Sequence, residues 1–228
     1  MNQLNISDGF VRLDASMADD ESVINSARVS FAKQSELHGE LTGADKGLIK
    51  FLMREHHGTP FEHNAFRFHV KCPVFVAREW FRHRIGSFNE FSARYSEVPN
   101  EFFTPDESAI RTQVGKPGAY TFEPVDETLA KSTVEMIASI NEKAYETYAH
   151  LVQSGVAKEV ARMVLPVSMY TQFYWTVNAR SLMNFLALRT DPNAQREIRE
   201  FADAVEKLFA EQMPETWKAW VEFGKVCP

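Results

Sequence analysis

Ala65-Phe66-Arg67-Phe68-His69-Val70-Lys71-Cys72 puts an apolar residue in every second position, the period of a half-buried strand. Pro73 follows, suited to the first turn of a helix, and Val74 to about Arg84 then reads as that helix. Upstream, Gly9 to Ala15 reads as a short first strand, and Asp19 or Asp20 is placed to cap a helix running to about Ser30. A polar loop comes next, and Gly43 to His57 has helical spacing at Leu48, Phe51 and Leu52 until Gly58-Thr59-Pro60 stops it.

Downstream, Glu97 to Pro124 holds Pro99, Pro105, Pro117, Pro124, Gly115 and Gly118, which predicts an irregular loop able to act as a mobile cover. A long amphipathic helix from about Val125 to Ser154 is marked by Val134, Ile137, Ile140, Ala144, Tyr148 and Leu151, with Gly155 as its stop. Another helix runs to Leu165, and Val167 to Val177, rich in aromatic and β-branched residues, reads as a strand. Helices follow near Ala179 to Arg189, Asn193 to Glu211 and Pro214 to Glu222. The expected fold is α+β: one helix-rich domain over residues 1–228, with a small, mostly antiparallel sheet flanked by helices. No internal repeat, low-complexity tract or linker divides it.

The chain has 228 residues, 44% of them hydrophobic and 25% charged, enough for one sizeable core. A net charge of −6 opposes broad binding to nucleic acid or an anionic membrane surface. Two cysteines, Cys72 and Cys227, supply neither a disulfide framework nor a CxxC metal site, which fits a reducing cytoplasmic setting. The N-terminus lacks a basic region followed by an apolar stretch, and no run approaches the roughly 18 apolar residues of a membrane span. A protein that is neither exported nor membrane-bound is expected.

Positive charge is concentrated. Between Arg78 and Arg94 four arginines face only Glu79 and Glu90, a local charge of +2, and no lysine lies between Lys71 and Lys116. Arginine's planar fork suits bidentate recognition of phosphate or carboxylate. Helical spacing brings Glu79 to His83 and Arg78 to Arg82 on shared faces, which a solvated helix with ordinary ion pairs would also show. Gly86, Ser87, Asn89 and Ser92 add hydroxyls, an amide and freer backbone, favouring phosphate oxygens as the partner. A second polar stripe joins Arg180 and Asn184 at i and i+4, pointing either to a ligand or to a face turned towards solvent or a partner subunit. Arg162 stands among apolar neighbours and either snorkels to water or meets an anion.

Other chemistries find less support. His56, His57 and His63 with Glu55 and Glu62 do not form a HExxH pattern, and a helix stop falls between the histidines, so no metal site is expected. No GxGxxG is present, and Gly39, Gly43 and Gly47 have the wrong spacing for a Rossmann phosphate turn. Cys72, alone in a strand-like alternation, reads as a small buried hydrophobe rather than a nucleophile.

The run Arg82-His83-Arg84-Ile85-Gly86-Ser87-Phe88-Asn89-Glu90-Phe91-Ser92-Ala93-Arg94 fits RHRxxSxxxxSxR at every fixed position, and so resembles the signature of the flavin-dependent thymidylate synthases. The resemblance continues through SARVSF (Ser26 to Phe31), HGTPFEH (His57 to His63), VARMVLP (Val160 to Pro166) and WTVNARSLMNFLALR (Trp175 to Arg189), and covers almost the whole chain. It implies methylation of dUMP to dTMP with 5,10-methylenetetrahydrofolate as carbon donor, FAD as flavin, NADPH as reductant and tetrahydrofolate as the other product. It further implies a homotetramer of about 100 kDa with sites shared between subunits.

Carried over by position, the resemblance implies a dUMP site formed by Glu79, Trp80, Phe81, Arg82, Glu90, Phe91, Ser92, Ala93, Arg94, Arg162 and Arg189. Arg189 would be catalytic, favouring the N3-deprotonated uracil. The implied FAD contacts are Ser30, His57, Thr59, Arg82, His83, Arg84, Glu90, Asn178, Ala179, Arg180 and Asn184. Two positions depart from the pattern that the resemblance implies: Glu79, where Gln is expected, and Asn193, where His is often expected. A carboxylate near the dUMP phosphate would repel it unless Glu79 pairs with Arg82 or His83. An expectation of a different class is a non-catalytic module gripping single-stranded nucleic acid with Arg82 to Arg94 and with Phe88, Phe91 and Tyr95; the chain's acidity weighs against it.

Overall fold

A computed structural model describes residues 2–31, 40–116 and 119–228; Gly39, Pro117, Gly118 and most of the polar loop after Ser30 lie outside the described residues. The chain gathers into two compact units: Met1–Cys72 with Val76–Glu90 and Gln172–Pro228, and Pro73–Phe75 with Phe91–Thr171. The first contains a five-stranded antiparallel sheet built from β1 (Gln3–Ile6), β2 (Gly9–Met17), β3 (Ala65–Pro73), β4 (Ser87–Glu90) and β7 (Tyr170–Asn178), in the order β1-β2-β3-β7-β4. Two strands in this sheet were not expected. β1 pairs Leu4 with Val11 in a hairpin whose turn places Ser7 at φ 49°, and β4 pairs Phe88 with Trp175 inside the stretch expected to have freer backbone. Four-residue edge strands carry too little alternation to register as a period.

The alternation in β3 is borne out side chain by side chain: Phe66, Phe68, Val70 and Cys72 have no solvent exposure. Helices α6 (Ala179–Arg189) and α7 (Arg196–Gln212) cover that face, with Trp175 on Phe185 (ring centroids 5.0 Å apart) and Phe66 on Phe209 (5.9 Å). Aromatic pairs of this kind each add about 0.5–1.5 kcal/mol beyond the area they bury. α1 (Asp20–Arg28) is capped by Asp19, whose side chain accepts from the Ser22 N–H at 2.6 Å. Buried Asp20 in turn accepts from the backbone N–H groups of Glu215 and Thr216, both at 2.8 Å, capping α8 (Pro214–Glu222) from the other end of the chain.

Three boundaries move, each for a local reason. α2 (Gly43–Arg54) stops short of His57 because His56 takes the left-handed conformation, φ 55°. α3 (Val74–Trp80) ends four residues before Arg84: the Arg82 N–H reaches Glu79 O (3.3 Å) and the His83 N–H reaches Trp80 O (3.0 Å), a tighter turn than a helix. Arg82, His83 and Arg84 therefore sit on a turn, and the expected shared helix faces do not extend to them. α7 starts at Arg196 because Asn193 folds back on Asp191 Oδ1 through its N–H and its amide, both at 2.8 Å.

In the second unit α4 (Glu127–Gln153) is capped by Asp126 and ends before Gly155 at φ 83°. Its Tyr148 packs in a small core with Ala93, Val98 and Ala161, and the Tyr148 hydroxyl accepts from the Val98 N–H at 3.0 Å. The expected helix up to Leu165 is the short α5 (Lys158–Ala161) followed by a 3₁₀ turn at Arg162–Val164. The expected irregular stretch is corrected over its second half: β5 (Arg111–Lys116) and β6 (Ala119–Pro124) pair antiparallel from Arg111 with Pro124 to Lys116 with Ala119. Thr112, Val114, Tyr120, Thr121 and Phe122 carry the strand preference, which outweighs a proline confined to the end of β6 and a glycine, Gly115, at φ 109°.

Candidate active site

α6 begins where Asn178 turns its side-chain oxygen to the Ser181 N–H (2.8 Å), so the residue that ends β7 also caps the helix. This strand-to-helix junction aims Arg180, Asn184 and Arg189 into one cleft of about 630 Å³ in the first unit, where Arg82, His83 and Arg84 of the turn after α3 also line the wall. Four arginines and one carboxylate, Glu62, line it. Its volume falls within the roughly 300–1,000 Å³ of small-molecule sites. Arginine forks beside a helix N-terminus fit a pyrophosphate or phosphomonoester.

Each cleft arginine outside the turn is held differently. Arg180 donates from Nη1 to Glu62 Oε1 (2.6 Å) and from Nε to the Pro228 carbonyl (2.7 Å), and the Glu62 hydrogen bond raises its pKa. Gly58 makes room for it: a Cβ there would lie 2.4 Å from Arg180 Nε. Arg189 donates from Nε to His83 Nε2 (3.0 Å), from Nη1 to Glu79 Oε2 (3.0 Å) and from Nη2 to Glu79 O (3.2 Å). Burial, followed by the Arg189 charge, lowers His83 to a pKa of about 4, so it is the neutral ring that accepts from Arg189. Burial also raises Glu79, an effect that Arg189 opposes.

A second pocket of about 550 Å³ in the same unit brings together Ser30, His57 and Thr59 with Arg28, Phe51 and Pro60. Arg28 is ion-paired with Asp45 there, and Phe51 stands edge-on to His57 with ring centroids 5.6 Å apart. This largely apolar wall with two imidazoles, His57 and His63, suits a planar ring.

Not every sequence-derived site residue is available as a side chain. Trp80 is fully buried against Trp175 and Phe185, and Ala179 is buried at the start of α6, so both are corrected to core residues that can offer a ligand only backbone. Phe81 packs on Phe173 and Phe88. Glu90 is exposed at the end of β4. The second unit holds the other expected residues. Phe91 packs on the core to which Ala93 belongs, Ser92 Oγ accepts from the Arg94 N–H (3.4 Å), Arg94 pairs with Glu159 (3.4 Å), and Arg162 is exposed.

Glu62 and Cys227 line the cleft without having been expected there. Cys227 donates from Sγ to Arg180 O at 3.3 Å, and burial raises its pKa, which keeps it a thiol. Glu62 reaches Arg180 across 118 residues, and no local spacing announces such a pair. Cys72 is fully buried and its pKa is pushed well up, as its place in the alternation suggested. No group of three or more His, Cys, Asp or Glu able to hold a metal occurs among the described residues, and none of their helices is long and apolar enough to cross a membrane.

The family model described as thymidylate synthase complementing protein matches residues 12–215. A flavin-dependent thymidylate synthase of Thermosipho africanus (strain TCF52B) is 49% identical over 216 residues, covering 95% of this chain and 92% of that protein. One from Tropheryma whipplei (strain TW08/27) is 42% identical over 239 residues, covering 100% and 98%. The crystal structure of a UMP/dUMP methylase, PolB, from Streptomyces cacaoi bound with 5-Br dUMP superposes with a TM-score of 0.89 at 43% identity, covering 97% of this chain and 98% of that one. A match from before Val23 to beyond Trp80, Arg189 and Phe209 takes in the buried core and the cleft alike, and the chain belongs to the thymidylate synthase complementing protein family, that of the flavin-dependent thymidylate synthases.

Proposed function

We propose that this protein converts dUMP to dTMP, taking the carbon from 5,10-methylenetetrahydrofolate and releasing tetrahydrofolate, with NADPH as the source of reducing equivalents. The observation that carries the reading is the cleft: four arginines converge on it, and Arg189 is fixed at one side by Glu79 and neutral His83. Several converging cations offset the cost of desolvating a nucleotide phosphate and a pyrophosphate. FAD, when bound, supplies the hydride that completes the methyl group.

Arg82, Arg84 and Arg180 bind anionic oxygens in this reading, and Asn178 and Asn184 add amide contacts beside them. The second pocket, with Ser30, His57 and Thr59, receives ring-shaped portions of flavin or co-substrate. Arg189 places a fixed positive charge where the uracil gains negative charge, stabilising the form whose C5 is nucleophilic. Neither cysteine serves as nucleophile, because burial holds both thiols protonated. Phe91, Ser92, Ala93, Arg94 and Arg162 are nucleotide contacts in a homotetramer of about 100 kDa whose sites are shared between subunits, and residues 1–228 act as one functional domain in the cytoplasm.

The test is dTMP formation from dUMP, methylenetetrahydrofolate and NADPH on desalted protein, with and without added FAD. FAD-dependent dTMP supports the reading. A colourless protein that forms no dTMP and binds oligonucleotides with strong salt dependence would replace it with the nucleic-acid module. Including UMP reports whether a ribose 2′-hydroxyl is accepted.

A further inference from the structure

We propose that Glu79 is a positioning residue that acts on the nucleotide through Arg189 rather than by touching it, an inference that rests on the proposed dUMP-methylating function. Glu79 offers Arg189 two acceptors at once: its carboxylate takes Nη1 at 3.0 Å and its backbone carbonyl takes Nη2 at 3.2 Å. His83, four residues on, takes Nε at 3.0 Å. A guanidinium has five N–H donors, so three are occupied from behind and one on each terminal nitrogen is left for a ligand. Arg189 and His83 line the cleft, whereas Glu79 is not among the residues lining it.

The arrangement answers two difficulties at once. A long arginine side chain loses considerable rotamer freedom when fixed, and anchoring all three of its nitrogens before the nucleotide arrives removes that cost from the bound state. A carboxylate beside a nucleotide phosphate is repulsive, yet here its charge is spent on the guanidinium with both groups mostly withdrawn from water: their side chains are 27% and 21% exposed. Glu79 therefore has a partner of its own in this chain. His83 completes the frame because its ring is held edge-on against Phe185 at 4.9 Å and so cannot swing away from Nε.

The experiment is a double-mutant cycle in the flavin-loaded enzyme, reading kcat and the KM for dUMP separately, with circular dichroism and flavin absorbance as checks on folding. Glu79→Ala is expected to lower kcat by about 10²-fold, the usual consequence of a misplaced catalytic group. In an Arg189→Ala background the same change should alter kcat by no more than about twofold. Glu79→Gln keeps an acceptor for Nη1 and should restore kcat to within about tenfold of wild type, which a merely structural role would not require. Losses that multiply in the double variant, a raised KM with kcat intact in Glu79→Ala, or no recovery in Glu79→Gln would each overturn the inference. If Glu79→Ala does not fold, Glu79→Met, similar in length but without an acceptor oxygen for Nη1, takes its place in the cycle under the same criteria. Wild-type protein that forms no dTMP overturns the proposed function and this inference with it, whereas an active wild type with an additive cycle overturns the inference alone.

Discussion

Arg180 and Arg189 lie near the start and at the end of the same helix, and their surroundings differ. Arg180 and its partner Glu62 have side chains 46% and 40% exposed, while Arg189 and Glu79 are at 21% and 27%. An exposed pair contributes about 0–1 kcal/mol and is easily traded for another anion. A withdrawn pair is costly to break, because removing one partner leaves the other charged and poorly solvated. The helix dipole sharpens the contrast. Arg189 sits at the C-terminus, where a cation is stabilised, and Arg180 at the N-terminus, where an anion is favoured. In the proposed reading Arg180 exchanges Glu62 for a ligand phosphate, whereas Arg189 is preset.

The largest test of this contrast is Arg189→Ala. Flavin should remain bound while kcat falls by about 10²–10³-fold, as when one donor to a developing charge is removed; single-turnover kinetics with flavin absorbance checks it, and unchanged kcat would take Arg189 off the catalytic list. Gly86→Ala comes next. Its Cβ would lie 2.8 Å from Trp175 Nε1 and 3.0 Å from Thr176 O, against a fully buried ring and backbone that cannot yield. A loss of about 1–3 kcal/mol in urea unfolding is expected.

His83 supplies a pH test of intermediate size. Its pKa is about 4 in the fold against an ordinary 6.5, so between those values the unfolded chain binds the extra proton. Stability due to His83 is therefore full above about pH 6.5 and is lost as pH falls towards 4, by on the order of 1 kcal/mol after allowing for its partial exposure. Melting curves across that window should flatten in His83→Gln, and an unchanged pH slope would contradict the buried neutral ring.

The smallest stability effects are expected at the other end of the helix. Arg180→Ala should shift stability by less than about 1 kcal/mol, yet weaken flavin binding by about tenfold or more through the lost charge-assisted bonds. Gly58→Ala should reproduce that loss more weakly, because the side chain it strikes is flexible and can move. Flavin titration of the two variants tests the pair, and unaffected binding in both would remove Arg180 from the cofactor site.

Much of this was legible before any coordinates. The alternation from Phe66 to Cys72 and the stop at Gly155 gave strand and helix their type, because burial of one face imposes its period on the sequence. Arg180 with Asn184 also emerged as a polar stripe, and both line the cleft. The hairpin at Arg111–Pro124 escaped notice because its prolines and glycines masked short, exposed strands with no buried face to set a period. β4 escaped because its pairing with Trp175 and its neighbours is the only thing that makes Ser87–Glu90 a strand.

The sequence by itself determined the helix-rich α+β class, the concentration of arginine, the family signature and the burial of Cys72. Those are properties of local spacing and residue type. Tertiary structure alone decided that Arg189 meets Glu79 across 110 residues, that Glu62 meets Arg180 across 118, and that His83 is neutral. Ion-pair partners and pKa values depend on which surfaces leave water together, and that is settled only when the sheet and its helices close on one another.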